Sequence, residues 1–361
     1  MVTASIIVQG YNAMAHYEAC LQSILEQDMD DFEVIWADSA STDGSREEIQ
    51  TRFPQVKIVA FDSNIGYRRA TNAGACQAQG KYLVICNQDT YMHKSWLSAM
   101  ICCMEASPHV GIVAPKILLA DQPDRINEAG NTLHYSGMHG SRGLGASAAD
   151  YSVPETIATM SGCCFLIRRD LWIELGGFSP DFDVFSSGWH ASHEDVDLAW
   201  RAQLLGHTIL YCPSSVMYHK YKQRGVPPAR FCSFDWGWRL TILRNYELRT
   251  LAFLLPAVAA LDLATWLYSL ARGPAWLAVK LRVTAWFLTH ACELGQMRHR
   301  VQSGRRISDL PIVRRMSPTL ARSGAGWVKR MADVLSCLYF RLFLGLLRLT
   351  EKDETGVSGL C

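Results

Sequence analysis

As far as Ala114 the chain alternates between short apolar runs and helical patterns, and this alternation limits the folds open to it. Strands are expected at 5–8, 32–37, 56–61, 81–86 and 109–114, each dense in β-branched and aromatic residues. Between the first two, Ala15, Ala19, Leu21, Ile24 and Leu25 recur at helix spacing within 14–27. Further helices are expected from near Gly44 to just before Pro54, at 66–79 with Gly80 as the stop, and at 93–106. Such alternation builds βαβ units, hence an α/β fold with a Rossmann-like, mostly parallel sheet flanked by helices. Ligands of these sheets sit beyond the carboxyl ends of the strands.

Those ends are polar here. Gly10-Tyr11-Asn12 follows the first strand, Asp38 the second, and Asn87-Gln88-Asp89 the fourth, "KYLVICNQDT". Burying unpaired polar groups costs free energy. The fourth strand therefore either surfaces into a turn or delivers a carboxylate to something cationic. Asp89 suits a divalent cation, since Mg²⁺ sites often take one or two protein carboxylates plus phosphate oxygens. Asn87 offers a neutral carbonyl or a sugar contact. Asp38, in "DSASTDGS", can accept from a base edge or a ribose; as a helix cap, Asp43 is the better placed of the two. In "NIGYRRATNAG", Gly66 permits close backbone approach, and Arg68 and Arg69 can meet a diphosphate. Asn72 and Gly74 follow one turn later. The same stretch also reads as an ordinary helix start with two solvated arginines.

The richest cluster is "SHEDVDLAWR". Acidic residues at a helix start are favoured by the helix dipole, but Glu194, Asp195 and Asp197 exceed what capping needs. Asp197 and Arg201 can pair at i,i+4, which leaves Asp195 free to accept a proton. His219, in "MYHKY", follows a strand and is either structural or a metal ligand.

In order, "SIIVQGYN", "VIWADSASTDGS", "NIGYRRATNAG", "YLVICNQD", "GCCFLIRRDLWIELGGF" and "EDVDLAWR" resemble family 2 glycosyltransferases of the GT-A fold. The resemblance covers residues 3–245 and is greatest to rhamnosyltransferase-like and galactofuranosyltransferase-like enzymes of surface-polysaccharide assembly. It implies inverting transfer of rhamnose or another hexose from a nucleotide-diphosphate sugar to a hydroxyl of a lipid-linked glycan, with Mn²⁺ or Mg²⁺. Asp38 would bind the base. Tyr11, Asn12, Gly66, Arg68, Arg69, Asn72 and Asn87 would complete the nucleotide-sugar site. Asp89 and His219 would hold the metal. Asp195 would be the catalytic base, beside Glu194 and supported by Asp197 and Arg201. Asn87 stands where the family usually has a first carboxylate, Gln88 where the subgroup often has Pro, and Ser39 where Asn is frequent.

Two other functions are weighed. A sugar-1-phosphate nucleotidyltransferase would want a Gly- and Arg-rich phosphate loop after strand one, whereas "IIVQGYNAM" has one Gly and no basic residue. A non-catalytic GT-A-like scaffold would have no need of Asp38, Asp89, Asp195 and His219 together. The twelve cysteines are scattered with no Cys-x-x-Cys, so they read as free thiols of a reducing compartment. The opening "TASIIVQGYN" lacks the pattern of a secretory signal.

Net charge of +1 conceals an asymmetry. Residues 1–235 carry 17 basic and 26 acidic residues, and residues 236–350 carry 17 and 5. The expected division is a catalytic domain at 1–245, a basic apolar helical region at 246–350 and a disordered tail at 351–361. The segment 121–153 reads as a long surface loop with one hairpin, whose Gly-rich part at 136–153 is expected to line the acceptor side with Trp189 and His190. The stretch 250–271 is long enough to span a bilayer, but Pro256 interrupts it. Asp262 at mid-bilayer would cost roughly 2.5–3.5 kcal/mol. Asp262, Thr265 and Ser269 share one helix face, so an amphipathic helix is expected. A second such helix is expected at 327–349. Arg-rich amphipathic helices suit an anionic bilayer surface, which places the protein in the cytoplasm, peripheral to the inner face of the cell membrane. Nucleic acid is a poor partner, because the aromatic residues lie in apolar runs.

Overall fold

The computed structural model describes residues 2–185, 193–222, 225–320 and 327–355. The strands are β1 (Ala4–Gly10), β2 (Phe32–Asp38), β3 (Lys57–Ala60), β4 (Tyr82–Asn87), β5 (Thr90–Met92), β6 (Val110–Leu119), β7 (Gln122–Glu128), β8 (Asn131–Leu133), β9 (His139–Ser141), β10 (Glu155–Ile157), β11 (Cys164–Arg168) and β12 (Thr208–His219). The helices of the first part are α1 (Tyr17–Leu25), α2 (Ser45–Arg52), α3 (Gly66–Cys76), α4 (Trp96–Glu105), α5 (Arg169–Leu175), α6 (Glu194–Leu204) and α7 (Pro228–Asn245). Then follow α8 (Leu248–Arg272), α9 (Pro274–Thr289), α10 (Ala291–Gln302), α11 (Leu310–Val313) and α12 (Trp327–Thr355).

The main sheet runs β10-β12-β6-β11-β4-β1-β2-β3, with β5 added to β12 and β7 to β6. Strands β4, β1, β2 and β3 are mutually parallel, as the βαβ pattern requires. The second half is mixed, because β11 is wedged antiparallel between β4 and β6. Successive residues of β1 feed opposite cores, as strand geometry dictates. Ile6 and Val8 pack with α1, α2 and α4, while Ile7 packs on the side of α3, α5 and α6. The register pairs Gly10 with Asp38 and Gln9 with Asn87, which aligns three polar strand ends on one edge. Gly10 is required there: a Cβ would lie 2.1 Å from Trp36 Nε1.

The stretch 121–153 differs from the expected surface loop. It contains β7, β8 and β9, and Ile126, Ala129, Leu133, Tyr135 and Met138 are buried. These apolar residues are dispersed among Gly, Ser and Asn, so no periodicity announced them. The expected boundary at 245 is crossed by one continuous core. Val196 and Trp200 of α6 and Trp238 of α7 pack with Leu254, Val301, Ile312, Phe340 and Phe343. Helix α12 continues through Thr355, into the segment expected as a tail; 356–361 lie outside the described residues. The described cysteines are free, with Cys76, Cys102 and Cys292 exposed rather than buried.

Helices α8 and α9 turn their polar side inward. The Lys280 ammonium is fully buried, 2.9 Å from Asp235 Oδ1, 2.9 Å from Asp262 Oδ1 and 2.6 Å from Thr265 Oγ1. Arg239 also binds Asp262, and Ser269 is buried on the same face. Outward point Leu255, Leu263, Leu267 and Leu270 of α8, Leu281 and Leu288 of α9, and Val334, Leu335, Leu338 and Leu342 of α12, each more than half exposed. Removing one partner of a buried ion pair strands the other charge, at a cost of about 3–5 kcal/mol. Lys280→Met should therefore lower the denaturant midpoint strongly, and Lys280→Met combined with Asp235→Asn should recover part of the loss. Equal midpoints for parent and single variant would contradict the network's role.

Candidate active site

The strand ends build the site from three directions. Asp38, fully buried at the tip of β2, accepts from the Ser41 backbone N–H at 2.9 Å and the Ser41 hydroxyl at 2.6 Å. Asn12 adopts a positive φ of 49°. Its Oδ1 accepts from Thr42 N–H at 2.9 Å, which ties the β1 loop to the β2 loop. Gln88 clasps Tyr11 at both backbone atoms, accepting from its N–H at 2.7 Å and donating to its carbonyl at 3.0 Å. Gln88 thus braces the loop after β1, a role that the sequence reading missed. Asn87 faces Gln9 across the register, its Oδ1 3.5 Å from Gln9 Nε2.

Asp89 and His219 meet because β5 pairs antiparallel with β12, setting Thr90 opposite His219. Asp89 Oδ1 lies 3.5 Å from His219 Nε2. His219 Nδ1 is 2.8 Å from Asn127 Oδ1. A carboxamide oxygen only accepts, so Nδ1 carries a hydrogen, and in the neutral ring Nε2 presents its lone pair to Asp89. Two lone pairs facing each other call for positive charge between them. Burial pushes the Asp89 carboxyl up, but when a proton on Nε2 supplies that positive charge, the hydrogen bond and charge of His219, with the Asp89 backbone N–H and His16, outweigh this and hold it below its ordinary value. Among the described residues no group of three or more His, Cys, Asp or Glu converges on one point. A divalent ion here would draw its remaining ligands from outside the protein, as phosphate-bound ions do.

The third direction is the N-terminus of α6. Gly162 N–H donates to Asp195 Oδ2 at 2.8 Å, and Asp195 Oδ1 accepts from Val196 N–H at 2.8 Å. Tyr67 donates to the Gly162 carbonyl at 2.6 Å, and a Cβ on Gly162 would lie 3.4 Å from both the Tyr67 oxygen and Asp195 Oδ2. The next residue, Cys163, accepts at its carbonyl from Asn87 N–H at 2.9 Å. The turn before β11 therefore joins Asn87 directly to Asp195. Burial pushes the Glu128 carboxyl up, against hydrogen bonds from Ser161 and Ser141 and the charge of His219, and Asp195 adds to the rise. Burial and then the Asp195 charge push Glu194 up to about 7 against the opposing pull of Arg68. A proton on Glu194 removes a like charge beside Asp195.

Several expected nucleotide contacts are placed otherwise. Arg68 is buried, its guanidinium 2.6 Å from Asp183 Oδ1, 3.0 Å from the Phe182 carbonyl and 3.7 Å from Glu194. Arg69 Nε binds the other Asp183 oxygen at 2.8 Å. Asp183 thus neutralises both arginines assigned to the diphosphate. Asn72 pairs with the Phe178 backbone, donating to its carbonyl at 2.9 Å and accepting from its N–H at 3.0 Å, so it fixes the turn after α5. Gly66, with φ 79°, opens α3, its N–H bound to Asn64 Oδ1. Asp197 is fully buried, 2.7 Å from Arg201 Nε and 3.2 Å from Asn245 Nδ2. Trp189 and His190 lie outside the described residues.

With this geometry in view, comparison with known proteins is decisive. The model of glycosyl transferase family 2 matches residues 5–176. The match spans just under half of the chain and makes the protein glycosyl transferase family 2-like. It is 24% identical over 249 residues to an N-acetylglucosaminyl-diphospho-decaprenol L-rhamnosyltransferase of Mycobacterium tuberculosis, covering 62% of this chain and 78% of that protein. A crystal structure of GalNAc-T7 with UDP, GalNAc and Mn²⁺ superposes with a TM-score of 0.57 at 14% identity, covering 81% of this chain and 57% of that one. S. aureus TarS 1–349 in complex with UDP gives 0.52 at 16% identity, covering 96% and 92%. The fold is thus GT-A, and the protein is a glycosyltransferase rather than the nucleotidyltransferase also weighed.

Orienting partners of metal-binding histidines are worth about 10–100-fold in affinity. If Asp89 and His219 hold a metal, Asn127→Ala should weaken Mn²⁺ binding by that factor in calorimetry, and unchanged affinity would detach Asn127 from that site. A carboxyl raised on folding from 4.5 to about 7 favours the folded state fully below its unfolded value and loses that contribution as pH rises toward 7. Glu194→Gln should flatten the dependence of the denaturant midpoint on pH across this window.

Proposed function

We propose that this glycosyltransferase is inverting and moves L-rhamnose or another hexose from a nucleoside-diphosphate sugar to a hydroxyl of a lipid-linked glycan. The name of the mycobacterial relative supports the sugar and the acceptor class. The observation that carries the mechanism is the short hydrogen-bonded path from Asn87 through Cys163 and Gly162 to Asp195. It supports a single cleft with Asp89 on one side and Asp195 on the other.

In that cleft Asp195 is the base. Its two oxygens are oriented by Gly162 and Val196 N–H groups. It takes the proton of the acceptor hydroxyl as that oxygen bonds to the anomeric carbon. The bond from that carbon to the diphosphate breaks on the opposite face, and its electron pair leaves with the diphosphate. Glu194, carrying a proton near neutral pH, spares Asp195 a like-charged neighbour. Asp38 and the loops braced by Asn12 and Gln88 hold the nucleoside. Asp89 and the Nε2 of His219 would hold Mn²⁺ or Mg²⁺, which when bound stabilises the leaving diphosphate.

The inverted helices support a peripheral location on the inner face of the membrane. Their polar groups are consumed internally, their leucines face outward, and among the described residues α8 alone is long and apolar enough to span. Spanning would expose the Asp235–Asp262–Lys280 cluster to lipid, so α8 and α9 lie in the interface instead. Asp195→Asn should lower transfer by about 10²–10⁴-fold while thermal shifts with UDP-, dTDP- and GDP-sugars plus Mn²⁺ stay at the parent's values. Turnover equal to the parent's would remove Asp195 from the base role.

A further inference from the structure

One cavity lies apart from this chemistry. An open bowl of about 440 Å³ sits between the start of α7 and the turn from α8 to α9, lined chiefly by Val226, Pro227, Pro228, Arg230, Arg272 and Trp276. Arg272 is the last residue of α8. Its guanidinium lies 4.8 Å from the Trp276 ring centroid and 5.9 Å from that of Tyr268. Tyr268 in turn packs on Phe231 of α7, with centroids 5.5 Å apart. The cation is therefore positioned by aromatic rings, and among the described residues no carboxylate neutralises it. Prolines 227 and 228 stiffen the opposite wall.

The position of the bowl limits its ligand. Leu267 and Leu270, 58% and 57% exposed, lie within about a turn of Arg272. The bowl is thus the rim of the outward-facing leucine surface, where aromatic and Arg side chains meet phosphate head groups. A ligand held here would have its apolar part along the exposed leucines of α8.

We infer that this bowl binds the phosphate or diphosphate of a lipid-chain ligand, with Arg272 as the anchor and Trp276 as the interfacial platform. Arg guanidinium groups suit this because they bind phosphate oxygens bidentately. This deepens the lipid-linked-acceptor reading and rests on it for the acceptor's identity.

The test is flotation of the full chain, without donor, on neutral phosphatidylcholine vesicles containing prenyl diphosphate, against vesicles of equal charge made with phosphatidylglycerol. The parent should prefer prenyl diphosphate by about fivefold or more, the worth of one well-placed cation. Arg272→Gln should erase the preference while leaving binding to phosphatidylglycerol within about fivefold of the parent. Equal binding to the two vesicles, or a preference retained by Arg272→Gln, would mean that the surface reads charge alone and would overturn the site. Calorimetry with inorganic pyrophosphate supplies the soluble arm. Parent affinity for pyrophosphate matching that for the membrane ligand, and lost in Arg272→Gln, would make the bowl a free-anion site and overturn the lipid assignment. The transferase reading is judged separately by the nucleotide-sugar thermal shifts, which can fail or succeed independently of the vesicles.

Discussion

The carboxylate of Asp197 holds the second half of the molecule in place. It is fully buried and gathers Arg201, Arg244 and Asn245, with Arg244 Nη2 at 3.6 Å. Arg201 also donates to the carbonyls of Leu175 and Gly177. Burial would raise this carboxyl, but Arg244 and Arg201 more than offset it and keep it low. One charge thus joins α6, α7 and the turn after α5. Because Asp195 lies two residues earlier on the same helix, its position depends on that junction.

The first half of this fold was open to reading because β1, β2 and β4 are buried on both faces and the helices between them mainly on one. Composition and period then carry the same message, and the register brings the polar strand ends together without further information. Asp38, Asp89, Asp195 and His219 stood out as candidates because carboxylates and imidazole are scarce at the ends of apolar runs. Their partners were not. Asn127, Gln88, Tyr67 and Gly162 act through single hydrogen bonds across a large chain separation, and nothing local marks such a bond. Arg68, Arg69 and Asn72 show the converse: a polar helix start next to a predicted cleft looked free until Asp183 and the Phe178 backbone supplied partners.

The C-terminal helices were legible in kind but not in attachment. The shared face of Asp262, Thr265 and Ser269 follows from 3.6-residue spacing alone. That this face turns inward could not be read, since it depends on Lys280 from the next helix meeting Asp235 from the previous one. Nor could the sequence disclose that α12 packs Phe340, Phe343 and Leu347 into the core formed by α6 and α7. The leucine-faced helices and the cleft-forming elements are therefore parts of one packed body.

The antiparallel strand β11 has a final consequence. It separates a parallel half that carries Gly10, Asp38 and Asn87 from a mixed half that carries Glu128, Asp195 and His219. The two are sewn together along one strand and its preceding turn. Chain can be added to or exchanged on the mixed side, between β6 and β11 or beyond β12, without disturbing the register that aligns the first three strand ends. Diversification of the receiving partner is thereby separated from upkeep of the nucleotide cradle.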